Sequence, residues 1–130
     1  YRAKIYGYRN YYAPASVVLH AGSGSSGSRH NKFKVDLSSR NSIYLIYKNM
    51  PALQALLNLP FLLLGYLVKI LFFQKKGLGA DYMKGLGKGF RLAFSEKGRE
   101  RKVKFSMKHF GNYVIIQLQL WANMFRRLWW

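Results

Sequence analysis

The most apolar stretch of the chain, residues 52–73, decides what the rest can be. Its 22 residues are interrupted only by Gln54, Asn58, Pro60, Gly65, Tyr66 and Lys69. As one helix rising about 1.5 Å per residue, such a stretch just reaches across the ~30 Å hydrocarbon core of a bilayer. Pro60 argues against one helix, because an interior proline removes a hydrogen bond and clashes with the preceding turn. Two pieces are expected. Charge argues against a crossing: residues 75–130 carry 13 Lys and Arg against Asp81, Glu96 and Glu100, a net of +10, and residues 1–50 carry 8 against Asp36. A single span would leave one basic block on the outer face, against the tendency of such segments to stay inside. A re-entrant or in-plane hairpin is the expectation, with a single span as the alternative.

The whole chain carries 22 Lys and Arg and 4 Asp and Glu, a net charge of +18, which repels itself unless an anionic partner offsets it. Nucleic acid, an anionic lipid surface or a phosphorylated substrate would serve. Distribution disfavours nucleic acid: the basic residues flank long apolar segments, and no known nucleic-acid motif occurs in order. Half the residues are hydrophobic and 17% are aromatic, so there is ample surface to bury and most of the chain is expected to be ordered. No cysteine is present, which rules out disulfides and cysteine-ligated metals.

The fold class expected is α+β and mostly helical, with short strands at the amino terminus followed by amphipathic and hydrophobic helices. Residues 1–7 read as a helix end closed by Gly7, since glycine takes the left-handed conformation that stops helices. Residues 8–12 and 16–20 read as strands, the second β-branched and the two separated by Pro14. Residues 21–28 are Gly or Ser in seven of eight positions, a loop by composition. Residues 32–47 lack Gly and Pro and place Phe33, Leu37, Tyr44 and Tyr47 at near-helical spacing, predicting a helix that ends near Asn49 before Pro51. Downstream, Tyr82, Leu86, Phe90 and Phe94 recur every fourth residue, with Lys84, Lys88 and Arg91 opposite, an amphipathic interfacial pattern. Gly85, Gly87 and Gly89 weaken that helix by about 1 kcal/mol each relative to alanine, so it is expected to need a lipid or protein surface. Residues 97–104 read as a charged connector. Residues 112–130 alternate apolar runs with Gln117, Gln119, Asn123, Arg126 and Arg127 and close on Trp129 and Trp130, residues suited to the headgroup region.

Among residues able to carry chemistry, His20 at a strand end can ligate a metal or hydrogen-bond a phosphate; it can equally bond only backbone. Ser23, Ser25 and Ser26, with loop amides and with Arg29 and Lys32 beyond, can wrap phosphate oxygens, or the loop is a plain linker. The spacing of a Walker loop is missing. Arg40, beside Asn41 on the next helix, can bind a diphosphate or pair with Asp36 four residues earlier. His30 and His109 are expected at the surface.

Taken in order, Arg2 to Gly7, Tyr12-Ala13-Pro14, the run ending Leu19-His20 and the Gly/Ser loop resemble the close of the catalytic domain in bacterial family 2 glycosyltransferases. Arg40-Asn41 and Lys48-Asn49-Met50-Pro51 resemble the family's next helix, and Lys84-Gly85-Leu86 its membrane-proximal tail. The resemblance is strongest over residues 1–51 and loose beyond 75. It implies a GT-A fold, a nucleotide-sugar donor, rhamnose by analogy, a glycan or lipid-linked acceptor, and inverting transfer assisted by a divalent metal, Mg or Mn. His20 would share that metal with ligands upstream, and Ser23, Ser25, Ser26, Arg29, Arg40 and Asn41 would bind substrate. Residues 1–28 would then be the end of the catalytic domain, 29–50 a helix packed on it, and 51–130 a membrane-associated tail. The acidic pair and the Asp-x-Asp element of the family would lie upstream of Tyr1, so this stretch alone is expected to be inactive. The location implied is the cytoplasmic face of the membrane, peripheral or re-entrant. A non-enzymatic cationic membrane-surface protein remains the rival reading.

Overall fold

The structure, a computed structural model, describes residues 1–19, 28 and 30–128. Among these residues the regular elements are all helical: α1 (Arg2–Ile5), α2 (Lys32–Asn49), α3 (Ala52–Leu57), α4 (Leu59–Lys75), α5 (Gly79–Phe94), α6 (Glu96–Glu100), a 3-10 turn (Met107–His109) and α7 (Phe110–Leu128). The α+β expectation is thereby corrected. Residues 8–12 and 16–19 form no strand. A strand is held by backbone hydrogen bonds to a neighbouring strand, and the described residues supply none. Tyr11, Tyr12, Val17, Val18 and Leu19 instead stand exposed around a turn in which the Ser16 amide donates to the Ala13 carbonyl.

The chain divides into two compact units, Tyr1–Val18 with Lys104–Trp130, and Leu19–Val103. In the first, Gly7 ends α1 as expected. With φ +82° it occupies the left-handed position of a Schellman cap, in which the Tyr8 amide donates to Ala3 O at 2.9 Å and the Gly7 amide to Lys4 O at 3.1 Å. The side chain of Ile5, 1% exposed, is buried in this unit with Tyr113 and Ile116 of α7. Asn112 Nδ2 donates to Ile5 O at 2.9 Å and Lys4 Nζ to Gln119 Oε1 at 2.5 Å. Phe105 stacks on Tyr113, so a short helix is held by polar and apolar contacts together.

The second unit is organised by α2 against α5. Asn31 caps α2, its side chain accepting from the Lys34 amide at 2.9 Å, and the helix ends at Asn49 before Pro51 as the sequence predicts. The buried face of α2 is not the predicted one: Phe33 is 68% exposed, whereas Val35 and Ser39 are buried. The reason lies on α5. A Cβ on Gly85 would collide with Ser39 Oγ and the Asp36 carbonyl oxygen; one on Gly89 would lie 2.6 Å from Arg40 O and 2.8 Å from Ile43 Cβ. Glycines four apart let two helix backbones approach as larger residues do not, and the small Ser39 faces them. Its hydroxyl is satisfied within α2 by donation to Val35 O at 2.8 Å. The glycines expected to weaken α5 are therefore what seats it on its protein surface. Beside the contact, Lys88 Nζ bonds both carboxylate oxygens of Asp36, at 2.8 and 2.7 Å. With both partners partly solvated, the pair contributes about 0.2–1 kcal/mol, and Lys88 faces α2 rather than the outward side predicted for it.

Val35, Tyr82 and Leu86 form the core of this unit, with Ile43, Tyr66, Ile70, Phe73 and Leu78 packed around them. Each such side chain contributes about 1.5–3 kcal/mol when fully buried. Phe73 stacks on Tyr82 at 4.9 Å between ring centroids. The apolar run is indeed split: α3 stops at Asn58, whose Nδ2 donates to Gln54 O at 2.7 Å. Pro60 lies in the first turn of α4, where a missing amide hydrogen costs nothing. A second Schellman cap at Gly77, φ +69°, ends α4: the Leu78 amide donates to Phe73 O at 2.8 Å and that of Gly77 to Gln74 O at 3.0 Å. Leu78 and Phe73 then meet in the core, and the chain turns into α5. Residues 97–104, expected as a connector, begin within α6. Ser95 caps it by accepting from the Gly98 amide at 3.1 Å.

Gly85→Ala should destabilise the chain by about 1–3 kcal/mol or more, the range for overpacking. Gly87→Ala, whose Cβ meets nothing within 4 Å, should be neutral or stabilise by up to about 1 kcal/mol; thermal unfolding followed by circular dichroism compares them. Tyr82 gives a second expectation. Burial foremost, then the nearby Tyr66, raises its hydroxyl from 10.0 to about 12. The folded chain thus keeps a proton that the unfolded chain releases above its ordinary value, so stability should fall as pH rises from 10 to 12. Because the Tyr82 hydroxyl is buried without a hydrogen-bond partner, Tyr82→Phe should remove that contribution at no loss, or a gain of about 1 kcal/mol, at neutral pH. Denaturant titrations at pH 8 and 11 measure both effects.

Candidate membrane-contact surface and apolar cleft

Helix α4 buries no residue, and its apolar side chains are largely exposed. Leu53, Leu56 and Leu57 of α3 continue into Leu63, Leu64, Leu67, Val68 and Leu71 of α4, with Leu63 61% exposed. Patches of this kind mark sites of contact with membrane or protein. The sequence folds this way because α2 and α5 satisfy each other, leaving α4 to touch the core through Tyr66, Ile70 and Phe73 alone. Lys69, Lys75 and Lys76 are exposed on the same helix or just beyond it, and Lys76 Nζ lies 5.1 Å from the Phe72 ring centroid. At 17 residues α4 extends about 26 Å, and no helix among the described residues is long and apolar enough to cross a membrane.

Between α2, α3, α4 and α5 lies an apolar cleft of about 590 Å³. Its walls include Ile43 and Tyr47 from α2, Ala55 and Leu56 from α3, Leu59 and Leu63 from α4, and Phe90 and Phe94 from α5. Tyr66 also lines it, but its hydroxyl donates to Ser42 Oγ at 3.2 Å, and burial raises its titration above the ordinary value despite that bond. Lys102 is the charged residue of the wall. Its Nζ sits 4.3 Å from the Tyr47 ring centroid, a favourable cation–aromatic contact. The Val103 amide, donating to Lys48 O at 2.8 Å, fixes the backbone beside it. Tyr47 in turn packs against Phe94.

Of the residues singled out from sequence, His20, Ser23, Ser25, Ser26 and Arg29 lie outside the described residues. Arg40 and Asn41 lie side by side on α2, where Arg40 Nε and Nη2 both donate to Asn41 Oδ1 at 3.2 Å. Asp36 pairs with Lys88 rather than with Arg40. His30 is half-buried, its ring edge-on to Phe72 and Phe73 at 5.7 and 5.8 Å, and His109 packs edge-on to Tyr6. Both keep part of their surface exposed, in line with the expectation, while packing against aromatic rings. No group of three or more His, Asp or Glu is gathered among the described residues. Sequence reasoning missed Tyr47 and Lys102 as cleft residues; the fourfold repeat through Phe90 and Phe94 was the available signal for the opposite wall. Comparisons of the chain with protein-family models, with curated proteins and with solved structures gave no match.

Proposed function

We propose that this chain is the membrane-docking part of an inverting family 2 glycosyltransferase, active at an anionic membrane surface on the cytoplasmic face. The observation that carries the docking is the exposed apolar face of α3 and α4, set among Lys69, Lys75 and Lys76. An in-plane helix with such a face buries apolar side chains at the headgroup boundary while its lysines meet lipid phosphates. Each basic residue in contact contributes about 1 kcal/mol beside anionic lipid. The net charge of +18 supplies attraction over a longer range.

The sugar chemistry rests on the ordered resemblance: a helix closed by Gly7, Tyr-x-Pro, His20, the Gly/Ser loop, and Arg40-Asn41 on the helix that follows. On this reading a nucleotide-sugar donor and a glycan or lipid-linked acceptor are the substrates. The divalent metal, Mg or Mn, is held by His20 with ligands upstream, and Ser23, Ser25, Ser26 and Arg29 contact the donor. The apolar face serves equally a cationic membrane-surface protein without enzymatic activity, and nucleotide-sugar binding separates the two.

Vesicles of phosphatidylcholine and phosphatidylglycerol should carry the chain upward in a flotation gradient, and pure phosphatidylcholine vesicles should carry much less. Equal flotation with both would defeat electrostatic docking. In the full-length enzyme, His20→Ala should lower metal-dependent turnover by at least about 10–100-fold, the range for losing a residue that only supports a metal ligand, with unfolding unchanged. Unaltered turnover would remove His20 from the site.

A further inference from the structure

The apolar cleft of the second unit is unlike a surface groove that merely awaits burial, because its chemistry is divided. Along its length Ile43, Leu56, Leu59, Leu63 and Phe90 offer only hydrocarbon. The Tyr66 hydroxyl is engaged with Ser42, so a polar ligand group placed against these walls would lose its bonds to water with little replacement. The lining includes one cation, Lys102, held over Tyr47. The volume of about 590 Å³ lies within the ~300–1,000 Å³ typical of small-molecule sites. Leu56 and Leu63 belong both to the cleft and to the exposed face of α3 and α4, so the cleft is continuous with the surface assigned to the membrane.

The geometry points to a site for a single anionic phospholipid of the bilayer, one acyl chain lying in the cleft and its phosphate meeting the Lys102 ammonium. Charge complementarity selects this occupant: a neutral hydrocarbon leaves Lys102 unused, and a water-soluble phosphate leaves the apolar walls unused. A lipid held this way stands between docked protein and bilayer, replacing diffuse attraction with one defined contact. The inference rests on the membrane-docking reading.

Native mass spectrometry of the full chain released from vesicles of equal parts phosphatidylcholine and phosphatidylglycerol tests it. A single retained lipid per chain is expected, phosphatidylglycerol about fivefold more often than phosphatidylcholine. Ala55→Trp, which fills the cleft from α3, should abolish retention. Lys102→Met leaves the cleft open and should reduce the preference for phosphatidylglycerol about fivefold, the ~1 kcal/mol of one lysine beside anionic lipid. Undiminished retention by a folded Ala55→Trp chain, equal retention of the two lipids by the unaltered chain, or an unchanged preference in Lys102→Met would each overturn the inference. If Ala55→Trp does not fold, the Lys102→Met ratio decides alone. A lipid-free dimer that Ala55→Trp dissociates would assign the cleft to a second copy and overturn it as well. Chains that float with anionic vesicles yet retain no lipid refute this site alone, whereas failure to float refutes the docking on which it rests.

Discussion

Everything in the larger unit depends on how near α5 can come to α2. With Gly85 and Gly89 in the interface, the Asp36 and Arg40 carbonyls and the Ser39 hydroxyl lie where a Cβ at either of these two positions would have to be. This approach brings Tyr82 and Leu86 onto Val35 and places Lys88 within reach of Asp36, 52 residues away in sequence. Glycine in a helix costs about 1 kcal/mol against alanine, and here the backbone proximity it permits offsets that cost. Gly87, between the two, faces open space and has no such return.

The outward consequence is the apolar surface. Because α2 and α5 largely satisfy each other, α3 and α4 contribute little to the core and keep most of their leucines in the open. The Asn58 break separates α3 from α4, and the Gly77 cap turns the chain from α4 into α5. The same arrangement leaves the cleft between four helices with Lys102 in its lining. A surface of this composition is unfavourable in water and favourable at a lipid boundary, which connects packing to the proposed docking.

Local punctuation was legible in the sequence. Gly7, Pro51 and Pro60 end or begin helices where their backbone chemistry requires, and the apolar run splits as Pro60 demands. The buried face of α2 was not legible, because apolar spacing pointed to Phe33 while the contact is decided by small residues on a distant helix. Arg40, four residues away, was one possible partner for Asp36, which instead meets Lys88. The strands expected over residues 8–12 and 16–20 followed side-chain preference, but a strand exists only where another strand accepts its hydrogen bonds, and local sequence does not reveal that partner. The short α6 carried its own signal in Ser95 ahead of Glu96, a capping pattern overshadowed by the density of charge after it. Of the candidate site, the helical pair Arg40 and Asn41 was placed, whereas the cleft draws Tyr47, Ala55, Leu63, Phe94 and Lys102 from five separate segments.

The central claim, that the α2–α5 pair presents the outer face of α3 and α4 to lipid, is tested most directly by mapping which residues enter the bilayer. The chain has no cysteine, so single cysteines at Leu63, Leu67, Leu71 and Lys84 can each carry a polarity-sensitive fluorophore. On phosphatidylglycerol vesicles, emission should be blue-shifted at 63, 67 and 71 and aqueous at 84. Aqueous spectra at all three α4 positions in vesicle-bound protein, or a blue shift confined to position 84, would contradict the claim.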